Sequence, residues 1–309
     1  MLSKRHAKII ISLLLLVLVA RSLDGAQLLR VMSSIPGWTV LILCAGYFLG
    51  QILSSLKWWL LARSCALEVS FPETFRIYFT AMFVNLAGIG TLGGDVLRGA
   101  LIGSAQAKPA VGFATVVADR AHGLAVLAAI GTACVGLFSS DLLPPHFGSA
   151  LFAISIAIMA SWLIAPKAII HFVPNGSPFR PKAVEVARAF PTEPRAIAII
   201  TGISIIFHLL QISLHLCIAK GLGIEVSLTT LLTIVPFVNI LSSLPISWQG
   251  LGVRENAYRF FFVPAICSAE QSVAFGALWL LAITISALIG GLIGLASGAF
   301  EKRNCSVGE

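Results

Sequence analysis

Charged residues are scarce in this 309-residue chain. Asp, Glu, Lys and Arg make up 11% of it, whereas a soluble domain is nearer roughly 25% charged. No polar stretch is long enough to bury a core of its own, which argues against a soluble domain. Apolar runs near the roughly 20 residues that cross a bilayer recur along the chain. The sequence therefore predicts an all-α, polytopic integral membrane protein that forms a single membrane domain over residues 1–309.

Recognisable catalytic motifs are also missing. No nucleophile elbow, Walker phosphate loop or Rossmann fingerprint follows a strand, and the six cysteines are scattered without a CxxC pair. We therefore expect a protein that is not an enzyme, with no catalytic residues, no metal and no cofactor, and cysteines that serve as apolar packing residues. His208, Gln211 and His215 share one helical stripe, which we interpret as inward-facing polar packing rather than a metal site.

The net charge of +8 does not indicate nucleic-acid binding, because most Lys and Arg residues fall in short loops between apolar runs. Such loops are typical of the cytoplasmic side of a membrane. We predict a multi-pass protein of the plasma (inner) membrane with both termini in the cytoplasm. If residues 77–107 form a hairpin that returns to the cytoplasm, only Arg21, Arg30 and Lys220 face outward. Fourteen basic residues then face inward: Lys4, Arg5, Lys8, Lys57, Arg63, Arg76, Lys108, Lys167, Arg180, Lys182, Arg188, Arg195, Lys302 and Arg303.

Two of the apolar segments are interrupted by glycine, amide and charged residues. The first contains Asn85, Gly93, Gly94, Asp95 and Arg98, and the second contains Asn239, Gln249, Gly250, Gly252, Arg254 and Glu255. Such residues are costly at membrane depth and occur there mostly where they line a cavity or bind something. Broken segments in corresponding places of two halves indicate a transporter-like binding site.

An internal repeat relates the two segments. LARSCALEVSF at 61–71 aligns without gaps on IAKGLGIEVSL at 218–228, and Phe-Val-Asn follows each block. The number of predicted crossings between the copies is odd, so the repeat is inverted. We predict two opposed re-entrant hairpins, one in each copy, with the copies at 38–138 and 196–299. The remaining segments are a first span and outer connection (1–37), a linker span and basic cytoplasmic loop (139–195), and a cytoplasmic tail (300–309).

The charges at the two breaks allow several interpretations. Glycine-freed backbone N–H groups and Arg98 could bind an anion, or Asp95 could cap the next helix and pair with Arg98. Ion pairs between the hairpins, Asp95 with Arg254 or Arg98 with Glu255, are a third possibility.

Asp119, Arg120 and His122 form a further polar group deep in the span at 111–138. Asp119 and His122 are three residues apart and share a helix face. They could form a proton relay, complete a polar cavity, or make a satisfied buried pair while Arg120 reaches toward the interface.

The motifs GGDVLRGALI (93–102) and LPISWQGLGVRENAYRFFF (244–262), with Asp119-Arg120 between them, resemble the membrane domain of lysylphosphatidylglycerol synthases, a flippase-like family. The resemblance covers nearly the whole chain. It implies a bacterial or archaeal inner-membrane protein that moves or binds a polar-headed lipid. It assigns the site to matching positions: Gly93, Gly94, Asp95, Arg98, Asp119, Arg120, Gly250, Gly252, Arg254 and Glu255. The cytoplasmic aminoacyl-transfer domain of the full synthases has no counterpart here, so we do not expect this chain to make lysyl-lipid by itself.

The leading functional hypothesis is a lipid flippase or transporter that binds an anionic or phosphate-bearing lipid headgroup between the two hairpins. The alternatives are a membrane subunit of an aminoacyl- or glycosyl-transferring enzyme and a scaffold for a lipid-synthesis complex. In both alternatives a lipid-synthesis enzyme would be the partner.

The predicted topology can be tested by cysteine labelling in intact cells. A cysteine at Lys182 or Lys108 should resist a membrane-impermeant thiol reagent, because both positions face the cytoplasm in the hairpin topology. Arg30→Cys, on the predicted outer connection, is the matched positive control, and the unmodified chain gives the background from native cysteines. Labelling of Lys182→Cys in intact cells would rule out the hairpin topology.

Overall fold

A computed structural model gives the arrangement of the chain. It describes residues 24–297 except 90, 105, 139–146, 189, 192, 245–246 and 248. The predicted first span and the tail at 300–309 lie outside these residues. The described part is helical and contains no strand, so the predicted all-α class is confirmed.

Eleven helices follow one another through the described residues. They are α1 (Gly25–Ser33), α2 (Gly37–Ser64), α3 (Phe71–Val84), α4 (Thr91–Ser104), α5 (Pro109–Leu137), α6 (Phe147–Phe172), α7 (Arg180–Arg188), α8 (Pro194–Gly221), α9 (Leu228–Ser243), α10 (Val253–Phe262) and α11 (Ala269–Ala296). A π-helical turn, Asn85–Ile89, connects α3 to α4.

Four of these helices, α2, α5, α8 and α11, are long and apolar enough to span a membrane. Each has 28 or 29 residues, which corresponds to roughly 42 Å of helix against a hydrocarbon core of roughly 30 Å. Large apolar side chains project outward from them, including Leu41, Ile206 and Leu292. An outward apolar surface of this kind is stable only in lipid, so the chain is an integral membrane protein.

The boundaries of the helices support the internal repeat. A shift of 157 residues carries α2 onto α8 and the first residue of α3 onto the first residue of α9. Ser70 and Ser227, which are related by the same shift, cap α3 and α9, and each accepts a hydrogen bond from the N–H three residues on. The two halves also pack against each other, because α3 of the first half contacts α11 of the second and α9 of the second contacts α5 of the first. That the copies are inverted in the membrane stays a prediction.

Both broken segments fold back on themselves. The Gly94 N–H donates to Asn85 Oδ1 at 2.6 Å, and a Cβ added at Gly94 would lie 2.2 Å from the Ala81 carbonyl oxygen. A continuous helix would separate residues 81 and 94 by roughly 20 Å, so the chain reverses between α3 and α4. In the second half, a Cβ at Gly250 would lie 2.9 Å from the Ser242 carbonyl oxygen. The described residues thus contain two helical hairpins, and their re-entrant course through the membrane stays a prediction.

The proline-rich segment at 166–195 is more helical than the sequence indicates. Instead of ending at Ala165, α6 continues through Pro166 to Phe172, and α7 forms within the predicted loop. Proline at this position removes one backbone hydrogen bond, and the apolar residues after it still favour helix. The Arg180 guanidinium donates to the carbonyl oxygens of Ile170 and Val173, which satisfies acceptors at the end of α6.

The packing of α3 against α11 predicts a glycine-specific effect. We expect Gly290→Ala to lower the melting temperature in detergent, because its Cβ would lie 2.1 Å from the Phe79 carbonyl oxygen and force the helices apart. Overpacking of this kind costs about 1–3 kcal/mol. Gly202→Ala on α8, where nothing lies within 4 Å, is the matched control and should not lower it. An unchanged melting temperature for Gly290→Ala would contradict the close α3–α11 contact.

Candidate functional site

A polar cavity of about 380 Å³ lies between the two halves. Its volume falls in the roughly 300–1,000 Å³ range of small-molecule sites. All four spanning helices and both hairpins contribute to its wall. Eight of the residues predicted for the binding site line it: Asn85, Asp95, Arg98, Asp119, Arg120, Asn239, Gln249 and Arg254.

The glycines singled out at the hairpin tips shape the backbone around this cavity. Gly94 is buried against Asn85, and Gly93 beside it is half-buried. Gly250 and Gly252 have φ values of +75° and +81°, which L side chains rarely adopt. These glycines therefore permit the close turns that bring polar side chains to the cavity.

Glu255 and His122 do not line the cavity, and each makes a polar contact with the protein beside it. Glu255 Oε2 accepts a hydrogen bond from the Gly252 N–H at 2.6 Å, so this carboxylate caps the start of α10. His122 Nε2 lies 3.1 Å from Thr201 Oγ1 on α8. The contacts of His122 therefore include one that joins α5 to the second half.

A chain of buried ion pairs runs along the first-half wall. Lys57 Nζ lies 3.0 Å from Asp119 Oδ1, and Arg98 Nη2 lies 2.8 Å from Asp119 Oδ2. Arg98 Nη1 lies 3.7 Å from Asp95 Oδ1, and Arg120 Nε pairs with Asp95 Oδ2. Three cations thus share two carboxylates, so this wall keeps one positive charge.

Aromatic rings hold the guanidinium of Arg98 in place. Its central carbon lies 4.1 Å from the centroid of the Trp58 ring and 4.7 Å from that of Tyr78. Trp58 in turn donates from Nε1 to Thr115 Oγ1 at 3.2 Å. Cation–π contacts strengthen when the cation is desolvated, so the orientation of Arg98 is fixed by both charge and packing.

The interpretation that pairs charges across the hairpins is wrong, and the capping interpretation is right only in its Asp95–Arg98 pair. The pairs Asp95–Arg254 and Arg98–Glu255 do not form, because Asp95 and Arg98 find their partners within the first half. Asp95 also does not cap a helix, since α4 begins four residues earlier at Thr91. Helix α5 supplies the partner charges from Asp119 and Arg120, which lie more than 20 residues along the chain.

Lys57 is a site residue that the sequence analysis missed. The sequence analysis places Lys57 among the basic residues that face the cytoplasm, yet Lys57 and the neighbouring Trp58 are both buried. Lys57 lies seven residues before the end of α2, which is about two turns inside the helix. That depth becomes evident only once the end of the helix is known. The cytoplasmic placement of the basic residues stays a prediction.

Arg254 has a different environment from Arg98. It is only 6% exposed and lines the cavity, and its Nη2 donates to the Gln249 carbonyl oxygen at 3.2 Å. Its Nε and Nη1 are buried without a hydrogen-bond partner. Throughout the described residues, no carboxylate oxygen lies within 4.0 Å of this guanidinium. The cavity therefore contains a buried cation whose counter-charge is not supplied by the described residues.

Gln211 adds a second buried donor to the wall. It is 4% exposed, lines the cavity from α8, and its Nε2 has no hydrogen-bond partner. The inward-facing stripe predicted on this helix is confirmed, because His208 and His215 are buried as well. His215 Nε2 lies 2.7 Å from the Tyr258 hydroxyl, which ties α8 to the helix that holds Arg254.

Spanning helices, paired hairpins and an internal cavity lined by buried charges define a helical integral membrane protein. A comparison with protein families gives the same class: the model for the lysylphosphatidylglycerol synthase TM region matches residues 6–291. The chain belongs to this family, as the sequence motifs suggested. A search of curated proteins found no match.

The ion-pair chain predicts a strong effect of Asp119→Asn. The change leaves Lys57 buried without its carboxylate and takes one of two carboxylates from Arg98, and breaking a buried pair costs about 3–5 kcal/mol. We expect a marked fall in the detergent melting temperature. Adding Lys57→Met to Asp119→Asn should recover part of the loss, because it removes one stranded cation.

Glu225→Gln, at an exposed position, is the matched control for loss of a carboxylate and should leave the melting temperature unchanged. If Asp119→Asn melts like this control, the buried ion-pair chain does not stabilise the protein.

Proposed function

We propose that this protein is a lipid transporter of the flippase type in the plasma (inner) membrane. In this proposal the cavity between the two hairpins binds an anionic, phosphate-bearing lipid headgroup while the acyl chains remain in the bilayer. The protein is not itself an enzyme. Membership of the lysylphosphatidylglycerol synthase TM family is consistent with a lipid ligand.

The single observation that carries the proposal is the state of Arg254. A charged side chain at the centre of a membrane helix costs about 2.5–3.5 kcal/mol on insertion scales unless something pairs with it. Arg254 is buried, faces the cavity and has two nitrogen donors without partners. A phosphate accepts from a guanidinium through two parallel hydrogen bonds, so a phosphate headgroup supplies the missing acceptors.

Access to the cavity is also compatible with a lipid. The side chain of Arg120, which lines the cavity, is 42% exposed, although it lies in the long span α5. Val117 and Val96, next to Arg120 and Asp95 on their helices, are also exposed and apolar. A headgroup at Arg120 would therefore have acyl-compatible surface beside it.

The proposed movement uses the two hairpins as opposed re-entrant elements of an inverted repeat, with both termini in the cytoplasm. Inverted repeats with broken helices near the bilayer midplane are the plan of many secondary transporters, in which the halves rock around a fixed site. Here α3 and α9, the first arms of the hairpins, each pack on the last helix of the opposite half. Relative motion of the halves would thus change access to the cavity from each side.

The test compares the two buried arginines. Arg254→Gln should fold with an undiminished melting temperature yet lose transport of a headgroup-labelled anionic lipid in proteoliposomes, because Arg254 is not held by a protein carboxylate. Arg98→Gln should lower the melting temperature, since it strands Asp95 and Asp119. Arg254→Lys should restore transport only in part, because an ammonium is not a two-pronged donor.

Lys220→Gln removes an exposed positive charge at the end of α8 and is the matched control for both variants. Wild-type transport by well-folded Arg254→Gln would eliminate the headgroup-binding role of Arg254. Loss of folding in that variant would show instead that Arg254 is structural.

A further inference from the structure

The two halves carry equivalent arginines in unlike surroundings. In each half a buried arginine follows a buried glycine by four residues, Gly94 and Arg98 in the first half and Gly250 and Arg254 in the second. Both arginines are 6% exposed and line the same cavity. Their partners differ, because Arg98 contacts two carboxylates and Arg254 contacts none among the residues described.

The difference can be traced to particular positions of the repeat. Asp95 directly follows the glycine of the first half, whereas Leu251 follows the glycine of the second. Asp119 is the eleventh residue of α5, and the eleventh residue of α11 is Trp279. The second half therefore has apolar residues where the first half has the two carboxylates that pair with its arginine.

The same comparison holds for the lysine of the ion-pair chain. The shift that superposes α2 on α8 carries Lys57 onto Leu214. The second half thus keeps the arginine of the repeat while its ionic partners are absent. Since a lone guanidinium is costly at membrane depth, an external anion is the remaining counter-charge.

The buried charges around the cavity fix the size of that counter-charge. Four cations, Lys57, Arg98, Arg120 and Arg254, lie with three carboxylates, Asp95, Asp119 and Glu255. Four positive and three negative side chains give this group one net positive charge. A ligand with one negative charge would neutralise this positive charge. A dianion would give the cavity a net negative charge, and a zwitterion would leave the positive charge unbalanced.

We propose, building on the proposed lipid-transport function, that the cavity selects a lipid whose headgroup is a phosphodiester with one net negative charge. Arg254 and Gln211 bind the phosphodiester oxygens. A phosphodiester carries one charge, whereas a phosphomonoester carries about 1.5 to 2 at neutral pH. Gln211 serves as a positioned neutral donor, and it packs so closely on Gly50 that a Cβ there would lie 2.3 Å from Gln211 Nε2.

The inference predicts an order of affinity that can be measured with the purified full chain in detergent. The probes are short-chain lipids with phosphatidylglycerol, phosphatidate and phosphatidylcholine headgroups, together with soluble glycerophosphoglycerol and inorganic phosphate. Native mass spectrometry and ligand-induced thermal shift give the apparent Kd of each. We expect the phosphatidylglycerol probe to bind about tenfold or more tightly than the other two lipids.

Leu251→Asp is the decisive variant, because it places in the second half the carboxylate that Asp95 provides in the first. An internal pair with Arg254 would leave the cavity neutral, so binding of the monoanionic lipid should weaken about tenfold or more. Leu251→Asn, which is uncharged and of the same size, is the matched control, and its apparent Kd for the monoanionic lipid should stay close to that of the wild type. If Leu251→Asp does not fold, Gln211→Leu removes the neutral donor and should also weaken binding without lowering the melting temperature.

The outcomes separate this inference from the proposed function. Equal binding of all three lipids, or tightest binding of phosphatidate, would overturn the single-charge selectivity and leave lipid binding intact. Equal binding by Leu251→Asp and Leu251→Asn would overturn it too. Binding of glycerophosphoglycerol as tight as that of the lipid would support the charge match and contradict the lipid role. If neither lipid nor soluble probe binds, the proposed function and this inference both fail.

Discussion

A guanidinium buried inside a membrane protein needs a counter-charge, and the two halves of this protein provide different surroundings for their buried arginines. In the first half, Asp95 and Asp119 lie within 4.0 Å of Arg98, and aromatic rings enclose its remaining surface. In the second half, Arg254 faces an open cavity with donors unsatisfied. Arg98 is therefore part of the framework, and Arg254 is the residue to which we assign the ligand in the proposed function.

The charges can meet only because the backbone around them is closely packed. Gly94 lies against the Ala81 carbonyl, Gly290 lies against the Phe79 carbonyl, and at either position a Cβ would be near 2 Å from an oxygen. Small residues at such contacts are the usual means of packing helices in a membrane, where the hydrophobic effect does not drive helices together. The glycines that interrupt the sequence therefore do two things, since they turn the hairpins and let α3 approach α11.

Much of the site was predictable because polar residues are so expensive in apolar segments that their presence is informative. Asn85, Arg98, Asn239 and Arg254 were identified for that reason, and they line one cavity. The pairing was not predictable, because Arg98 meets Asp119 across two helices and no local rule relates them. Lys57 was missed since a lysine beside two tryptophans has the same pattern as an interfacial anchor. The depth of Lys57 within its helix would distinguish the two interpretations, but that depth requires the exact helix end, which the sequence does not give.

The asymmetry between the halves has a physical consequence for movement of a ligand. Two unpaired arginines in a cavity of about 380 Å³ would repel each other in a medium of low dielectric constant and would hold an anion very tightly. A ligand that must leave has to be bound weakly enough to dissociate, as conduction through selective pores also requires. Carboxylates in the first half reduce the charge offered to the ligand, whereas the Arg254 guanidinium has no carboxylate within 4.0 Å among the described residues. In the proposed transport, the two halves would provide the framework for alternating access, and the absence of carboxylates around Arg254 would set how strongly the ligand is held.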